Sequence, residues 1–124
     1  MKKLQFNPIQ IRIMQVLWDR GRTTAQEITD ILFEGERVPH STVQSHLRFL
    51  ERRGAITHDT DNRTFVYRAL VEQEQMKTRT LREVIDQVFS GSAESLVLSL
   101  ASDKFLTREE LENIIASMDD NEAS

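Results

Sequence analysis

His40-Ser41-Thr42-Val43-Gln44-Ser45-His46-Leu47-Arg48-Phe49-Leu50-Glu51-Arg52-Arg53-Gly54 runs directly into Ala55-Ile56-Thr57-His58-Asp59-Thr60-Asp61-Asn62-Arg63-Thr64-Phe65-Val66-Tyr67-Arg68. The change of period at Gly54 sets the architecture. Before it, at about 100° per residue, Val43, His46, Leu47 and Leu50 fall on one helix face, and Ser41, Gln44, Ser45, Arg48 and Arg52 fall on the opposite one. One side is built to pack. The other is polar, short-chained and cationic. After Gly54, residues 55–58 read as a strand, Asp59-Thr60-Asp61-Asn62 as turn chemistry, and residues 63–68 as a half-buried strand with Phe65 and Tyr67 on one face. A two-sided helix therefore feeds a β-hairpin.

Two more helices precede this pair. Asn7 caps the first and Pro8 fits its first position, where a missing N–H costs nothing. Ile9, Ile13, Val16 and Leu17 recur at helical spacing, Trp18 closes one end of the core, and Gly21 supplies a left-handed stop. The second opens on a capping box, Thr24-Ala25-Gln26-Glu27. It carries an apolar side of Ala25, Ile28, Ile31 and Leu32, and ends at Gly35. Glu36-Arg37-Val38-Pro39 connects it to the third. Arg22-Thr23 is placed to add a short strand to the hairpin.

The remainder reads as helix. A long one spans residues 71–90, with Leu81, Val84, Ile85 and Val88 on one side, and breaks at Gly91. Residues 93–102 hold Leu96, Val97, Leu98 and Leu100, apolar nearly all round, so this helix is expected to be buried. Thr107-Arg108-Glu109-Glu110 is a further capping box, and Leu106 and Leu111 are spaced for a hydrophobic staple. Leu111, Ile114, Ile115 and Met118 line the last helix, and residues 119–124 look frayed.

Composition narrows the function classes. The 124 residues carry a net charge of −4 and no cysteine, which excludes disulfides, thiolate metal sites and cysteine nucleophiles. The basic start, Met1 to Pro8, leads into no uninterrupted apolar stretch, so neither a signal peptide nor membrane insertion is expected, and a cytoplasmic location is. The charge is unevenly spread. Residues 1–70 hold 11 Lys/Arg and 8 Asp/Glu, a net of +3, and residues 71–124 hold 5 and 12, a net of −7. The first half suits a polyanion, and the second would be repelled by one.

Three helices and a hairpin are the order of a winged helix, a helix-turn-helix variant whose second helix enters the major groove. The expected fold is mainly α with a small antiparallel β-hairpin: a winged helix-turn-helix DNA-binding domain over residues 1–70 and a C-terminal helical dimerisation domain over residues 71–124. Gln44 is chemically suited to adenine and Arg48 to guanine or phosphate. Thr42 and Ser45 stand at base or phosphate positions, and Arg63 at the hairpin tip is a contact to the backbone or minor groove that positions rather than reads. For Arg52 and Arg53, phosphate contact competes evenly with a helix-dipole role. The tail is too short to bury its own apolar faces. Two ways of covering them are open. The tail lies back on the winged helix as a monomeric cap, or it joins a second copy, which would cover Leu81, Val84, Ile85, Val88, Leu96, Leu98, Leu100, Leu111, Ile114, Ile115 and Met118 and give a homodimer that reads two half-sites of a double-stranded DNA operator.

Rival readings also rest on the residues. The overall acidity supports a winged helix that binds protein and not specific DNA. A metal sensor would use His40, His46 and His58, but no pair has a familiar zinc spacing, and no metal or cofactor is expected. No phosphate-binding glycine loop or nucleophile motif points to an enzyme.

The combined pattern resembles the penicillinase-repressor (BlaI/MecI/CopY) family of bacterial winged-helix regulators from about Asn7 to Met118. Its carriers are Val16-Leu17-Trp18, Ser41-Thr42-Val43-Gln44 with Leu47, Leu50 and Gly54, Asp61-Asn62-Arg63-Thr64-Phe65-Val66-Tyr67, and Ser95-Leu96-Val97-Leu98. The resemblance implies a homodimeric repressor on a pseudo-palindromic operator, with Ser41, Thr42, Gln44 and Ser45 facing DNA. Many relatives carry Arg where this chain has Phe49, so an operator sequence does not transfer. Family members that regulate β-lactamase are inactivated in the tail by a protease answering to a membrane sensor. The family's scissile Asn-Phe pair falls on Ser99-Leu100 here, a chemically different pair. The cysteine cluster of copper-responsive relatives has no counterpart.

Overall fold

A computed structural model describes residues 6–36 and 38–123. Met1 to Gln5, Arg37 and Ser124 lie outside the described residues, and with them most of the basic start and one residue of the connection before Pro39. The elements follow the order α1 (Pro8–Arg20), β1 (Thr23–Thr24), α2 (Ala25–Leu32), α3 (His40–Arg52), β2 (Ile56–Asp61), β3 (Thr64–Ala69), α4 (Gln73–Val88), α5 (Ala93–Ser102) and α6 (Arg108–Ala123). They form two compact units, the first reaching Leu81 and the second beginning at Arg82, so the division runs through α4.

The first unit is a winged helix. Asn7 Oδ1 accepts the Gln10 amide at 2.9 Å, and Gln10 Oε1 accepts the Asn7 amide at 3.0 Å, so the start of α1 is capped reciprocally. Gly21 ends it at φ +75°, as expected of glycine. Its ψ of −131° is not the left-handed helical value. The second helix stops at Leu32, three residues before Gly35. Phe33 leaves helical geometry at φ −124°, and its carbonyl accepts the Glu36 amide at 2.8 Å to close the turn. Ile31, expected on the packing side, is exposed.

The sheet order is β1-β3-β2, antiparallel throughout. The short strand occurs one residue later than expected, with Thr23 opposite Tyr67 and Thr24 opposite Val66. Strands β2 and β3 pair from Ile56↔Ala69 to Asp61↔Thr64. The hairpin turn is therefore Asn62-Arg63, and residues 59–61 extend the strand instead of turning.

The core joins Ile13, Met14 and Leu17 of α1, Ile28 and Leu32 of α2, Val43, Leu47 and Leu50 of α3, Ala55, Ile56 and Tyr67 of the sheet region, and Met76 of α4. Each large side chain fully removed from water contributes roughly 1.5–3 kcal/mol. Trp18 packs against this core, and its Nε1–H donates to the Val71 carbonyl at 2.9 Å, which fixes the chain just ahead of α4.

The second unit is different. Among its described residues none is buried. The helix α5, expected to be an interior one, shows Val97 and Leu98 to solvent at 45% and 60% exposure in the single chain, because so short a segment has too little of itself to cover them. Ser90 and Gly91, at φ +52° and +81°, turn the chain between α4 and α5. The α6 cap forms as expected: Glu110 Oε1 accepts the Thr107 amide at 3.0 Å, and Thr107 Oγ1 accepts the Glu110 amide at 3.1 Å. The helix then continues to Ala123, past the point where fraying was expected.

The same reciprocal cap binds Glu27 to Thr24. Hydrogen bonds from the Thr24 and Thr107 amides, then their hydroxyls, hold the Glu27 and Glu110 carboxyls below the ordinary carboxylate range. A carboxyl lowered on folding stabilises the folded state above its unfolded-state pKa, and that contribution is lost as pH falls through the folded value.

Leu47, with no exposed surface, sits where the helices of the first unit meet. Leu47→Ala is expected to destabilise this unit by about 2–5 kcal/mol, measured by urea unfolding followed through Trp18 fluorescence.

Candidate functional site

The third helix presents the two faces its sequence implies. Val43, Leu47 and Leu50 have no exposed surface. Ser41, Ser45, Arg48 and Arg52 are exposed on the other side, and Thr42 and Gln44 are half-buried at the margin. His46 lies on the packing side, where its Nδ1 stands 3.2 Å from Nε2 of Gln10. The start of the helix carries no side-chain cap. Instead the Thr42 amide donates to the Pro39 carbonyl at 2.9 Å. One turn on, Gln44 Nε2 lies 2.9 Å from His40 Nε2. At the far end Gly54, at φ +77°, lets the chain reverse so that the Ala55 amide donates to the Leu50 carbonyl at 3.0 Å.

The wing tip is a two-residue loop with positive φ at both positions, +49° at Asn62 and +69° at Arg63. This is the type I′ pattern, whose twist matches that of the flanking strands. Asn tolerates it. Arg does so at a cost of about 1–2 kcal/mol, because its Cβ crowds the backbone. An exposed arginine thus occupies a place where glycine is preferred.

Two rings brace the wing. His58 stacks on Phe65 with centroids 3.9 Å apart and planes 17° from parallel, and His58 Nδ1 is hydrogen-bonded to Glu51 Oε1 of α3. Phe65 and Tyr67 share a face, as expected, but they are not equivalent. Tyr67 is buried, while Phe65 is 48% exposed because it lies nearer the tip, beyond the cover of α3. Burial, followed by the nearby Glu51 carboxylate, raises the Tyr67 phenol above its ordinary pKa, against the opposing pull of Arg48. A cleft of about 420 Å³ opens between the starts of α2 and α3 and the wing, with Gln26, His40, Gln44, Arg63, Phe65 and Tyr67 among its lining.

Cations near the cleft divide into two groups. Asp59 Oδ2 lies 3.7 Å from Arg22 and 3.6 Å from Arg68, and Arg53 sits 5.1 Å over the Phe49 ring. Among the described residues no acidic side chain pairs with Arg48, Arg52 or Arg63. The structure therefore gathers Gln44 and Arg63 on one concave surface, and leaves Ser41, Ser45, Arg48 and Arg52 exposed along α3. It adds His40 and Phe65, which the sequence reading did not place there. The i, i+4 spacing of His40 and Gln44 carried a signal for the first. Strand alternation alone carried none for the second. The three histidines face different partners, and among the described residues no three His, Cys, Asp or Glu side chains group to hold a metal.

In the tail, Leu81, Val88, Leu98, Ile114, Ile115 and Met118 are exposed, and Val84, Ile85, Leu96, Leu100 and Leu111 are half-buried. Ser99 is half-buried in α5, and its carbonyl accepts the Asp103 amide at 2.9 Å. No described helix is long and apolar enough to cross a membrane.

Comparison with known proteins gives a consistent result. The family model described as penicillinase repressor matches residues 7–120. The methicillin resistance regulatory protein MecI of Staphylococcus aureus (strain N315) is 25% identical over 113 residues, covering 91% of this chain and 92% of that protein. The penicillinase repressor of Bacillus licheniformis is 22% identical over 122 residues, covering 98% and 95%. Among solved structures, the DNA-binding domain of the repressor BlaI superposes with a TM-score of 0.50 at 27% identity, covering 59% of this chain and 90% of that one.

Arg63→Gly is expected to stabilise the first unit by about 1 kcal/mol, since glycine adopts this φ without strain. The check is an upward shift in the thermal unfolding midpoint, with the wing retained by circular dichroism.

Proposed function

The chain belongs to the penicillinase-repressor family, and on that premise we propose that it is a DNA-binding transcriptional repressor acting as a homodimer on a pseudo-palindromic operator. The observation that carries this reading is the two-sidedness of α3. Val43, Leu47 and Leu50 anchor it completely, so its exposed face of Ser41, Ser45, Arg48 and Arg52, with Thr42 and Gln44 at the margin, is held rigid for the major groove. Short hydroxyl and amide side chains approach base edges, and the arginines meet guanine or phosphate. The strained Arg63 at the wing tip supports the same reading, because strain held at an exposed charged residue fits a role outside the fold itself. The likeness to the DNA-binding domain of BlaI adds to it.

Charge sorts in the same direction. Residues 3–81 carry 12 Lys/Arg against 10 Asp/Glu, and residues 82–124 carry 3 against 10. The anionic unit is suited to face away from DNA. Its uncovered Leu, Ile, Val and Met side chains call for a partner, and a second copy related by a two-fold axis covers both tails while placing two α3 helices for two half-sites. The reading includes relief of repression by a sensor-activated protease at Ser99-Leu100. The Leu100 carbonyl accepts amides from Phe105 at 2.9 Å and Leu106 at 3.1 Å, so cleavage there requires α5 to open locally.

Binding to DNA from the protein's own upstream region, followed by gel shift across a salt series, tests the core of the proposal. Specific retention should fall steeply with salt. No retained DNA even at low salt would leave a protein-binding winged helix. Gln44→Ala is expected to cost about 1–3 kcal/mol on the operator and little on unrelated DNA, whereas Arg63→Ala should weaken both and flatten the salt slope by about one. In the tail, Ile114→Asp or Ile115→Asp should yield monomer or an unfolded tail in sedimentation. A folded dimer in both variants would remove these residues from the interface.

A further inference from the structure

Building on the reading of α3 as the DNA-reading helix, we propose that His40 is a positioning residue that fixes the Gln44 amide so that it selects adenine over guanine. The contact joins Gln44 Nε2 and His40 Nε2 at 2.9 Å. An amide nitrogen has no lone pair to offer, so the imidazole nitrogen accepts, and the ring proton resides on Nδ1. One of the two Gln44 N–H groups is thereby committed. The side chain keeps one N–H donor and its carbonyl oxygen. That edge complements adenine, which offers the N7 acceptor beside the N6 amino donor in the major groove. Guanine offers two acceptors, N7 and O6, and leaves the Gln44 oxygen facing another acceptor.

Position supports the assignment. His40 is the first residue of α3 and Gln44 stands one turn later, within the stretch of a reading helix that approaches base edges. Both line the cleft together with Arg63 and Phe65. The other two histidines face elsewhere, His46 toward Gln10 and His58 toward Glu51. Without His40 the amide is free to turn, and an NH2 group with both N–H donors uncommitted can meet the N7 and O6 acceptors of guanine as well as the mixed edge of adenine.

The experiment is selection of binding sites from a random DNA library with the full-length chain, repeated with His40→Ala, His40→Gln and His40→Lys. The position under study is the one whose base preference disappears in Gln44→Ala. Wild-type protein should prefer adenine there, and His40→Ala should lower the adenine-to-guanine preference roughly ten-fold with an unchanged unfolding midpoint. His40→Gln keeps an acceptor at similar reach and should retain the preference. His40→Lys can only donate, so it should bind all sequences more tightly yet lose the preference, a pairing of effects that a purely structural role does not produce. The inference is overturned if His40→Ala leaves the preference intact, if it weakens all sequences equally, or if the Gln44-dependent base is not adenine. In each of those cases the repressor reading stands. If wild-type protein selects no sequence at all, both fall together.

Discussion

Everything on the outer side of α3 depends on the burial of its inner side. Val43, Leu47 and Leu50 lose all contact with water, and they do so against α1 and α2, whose own starts are fixed by reciprocal caps at Asn7 and Thr24. A helix held by three fully covered aliphatic side chains has one rotational setting about its axis, because a turn of one residue would carry a leucine into solvent and an arginine into the core. That setting determines which polar side chains face outward and in what order. The surface chemistry of Ser41, Gln44, Ser45 and Arg48 is thus a consequence of apolar packing several ångströms behind it.

The wing is governed by a different balance. Its strands are in register from Ile56 to Asp61 against Ala69 to Thr64, and the two-residue loop that closes them demands positive φ at both positions. Placing arginine at the second of these costs backbone energy. Fold stability alone gives no return for that cost, since the side chain is exposed and touches no acidic partner among the described residues. The rings behind it are ordered by contact with α3: Glu51 holds His58, and His58 stacks under Phe65. The tip cation and α3 consequently belong to one connected surface, and in the proposed function they act on one ligand.

The tail obeys the limit that small size places on burial. Its sequence is rich in leucine and isoleucine, yet no described residue from Arg82 onward is removed from water in the single chain. Local hydrogen bonding is well satisfied, as the Thr107–Glu110 cap and the turn after Leu100 demonstrate. What the segment lacks is apolar cover. In the proposed function a second copy of the chain supplies that cover.

Much of this was legible in the sequence because it depends on local rules. The capping boxes at Thr24 and Thr107, the Asn7-Pro8 helix start, the two faces of α3 and the hairpin after Gly54 all follow from side-chain chemistry acting over a few residues. The tertiary structure decided what depends on neighbours distant in the chain. It separated Tyr67, covered by the helices, from Phe65, which alternation treats alike. It moved the turn to Asn62-Arg63, because strand pairing persists through Asp61. It set His40 and Gln44 in a cleft with Arg63, a residue of the turn between β2 and β3. Periodicity reports which side of an element is apolar, but the depth to which that side is buried depends on what packs against it, and that is fixed only when the chain has folded.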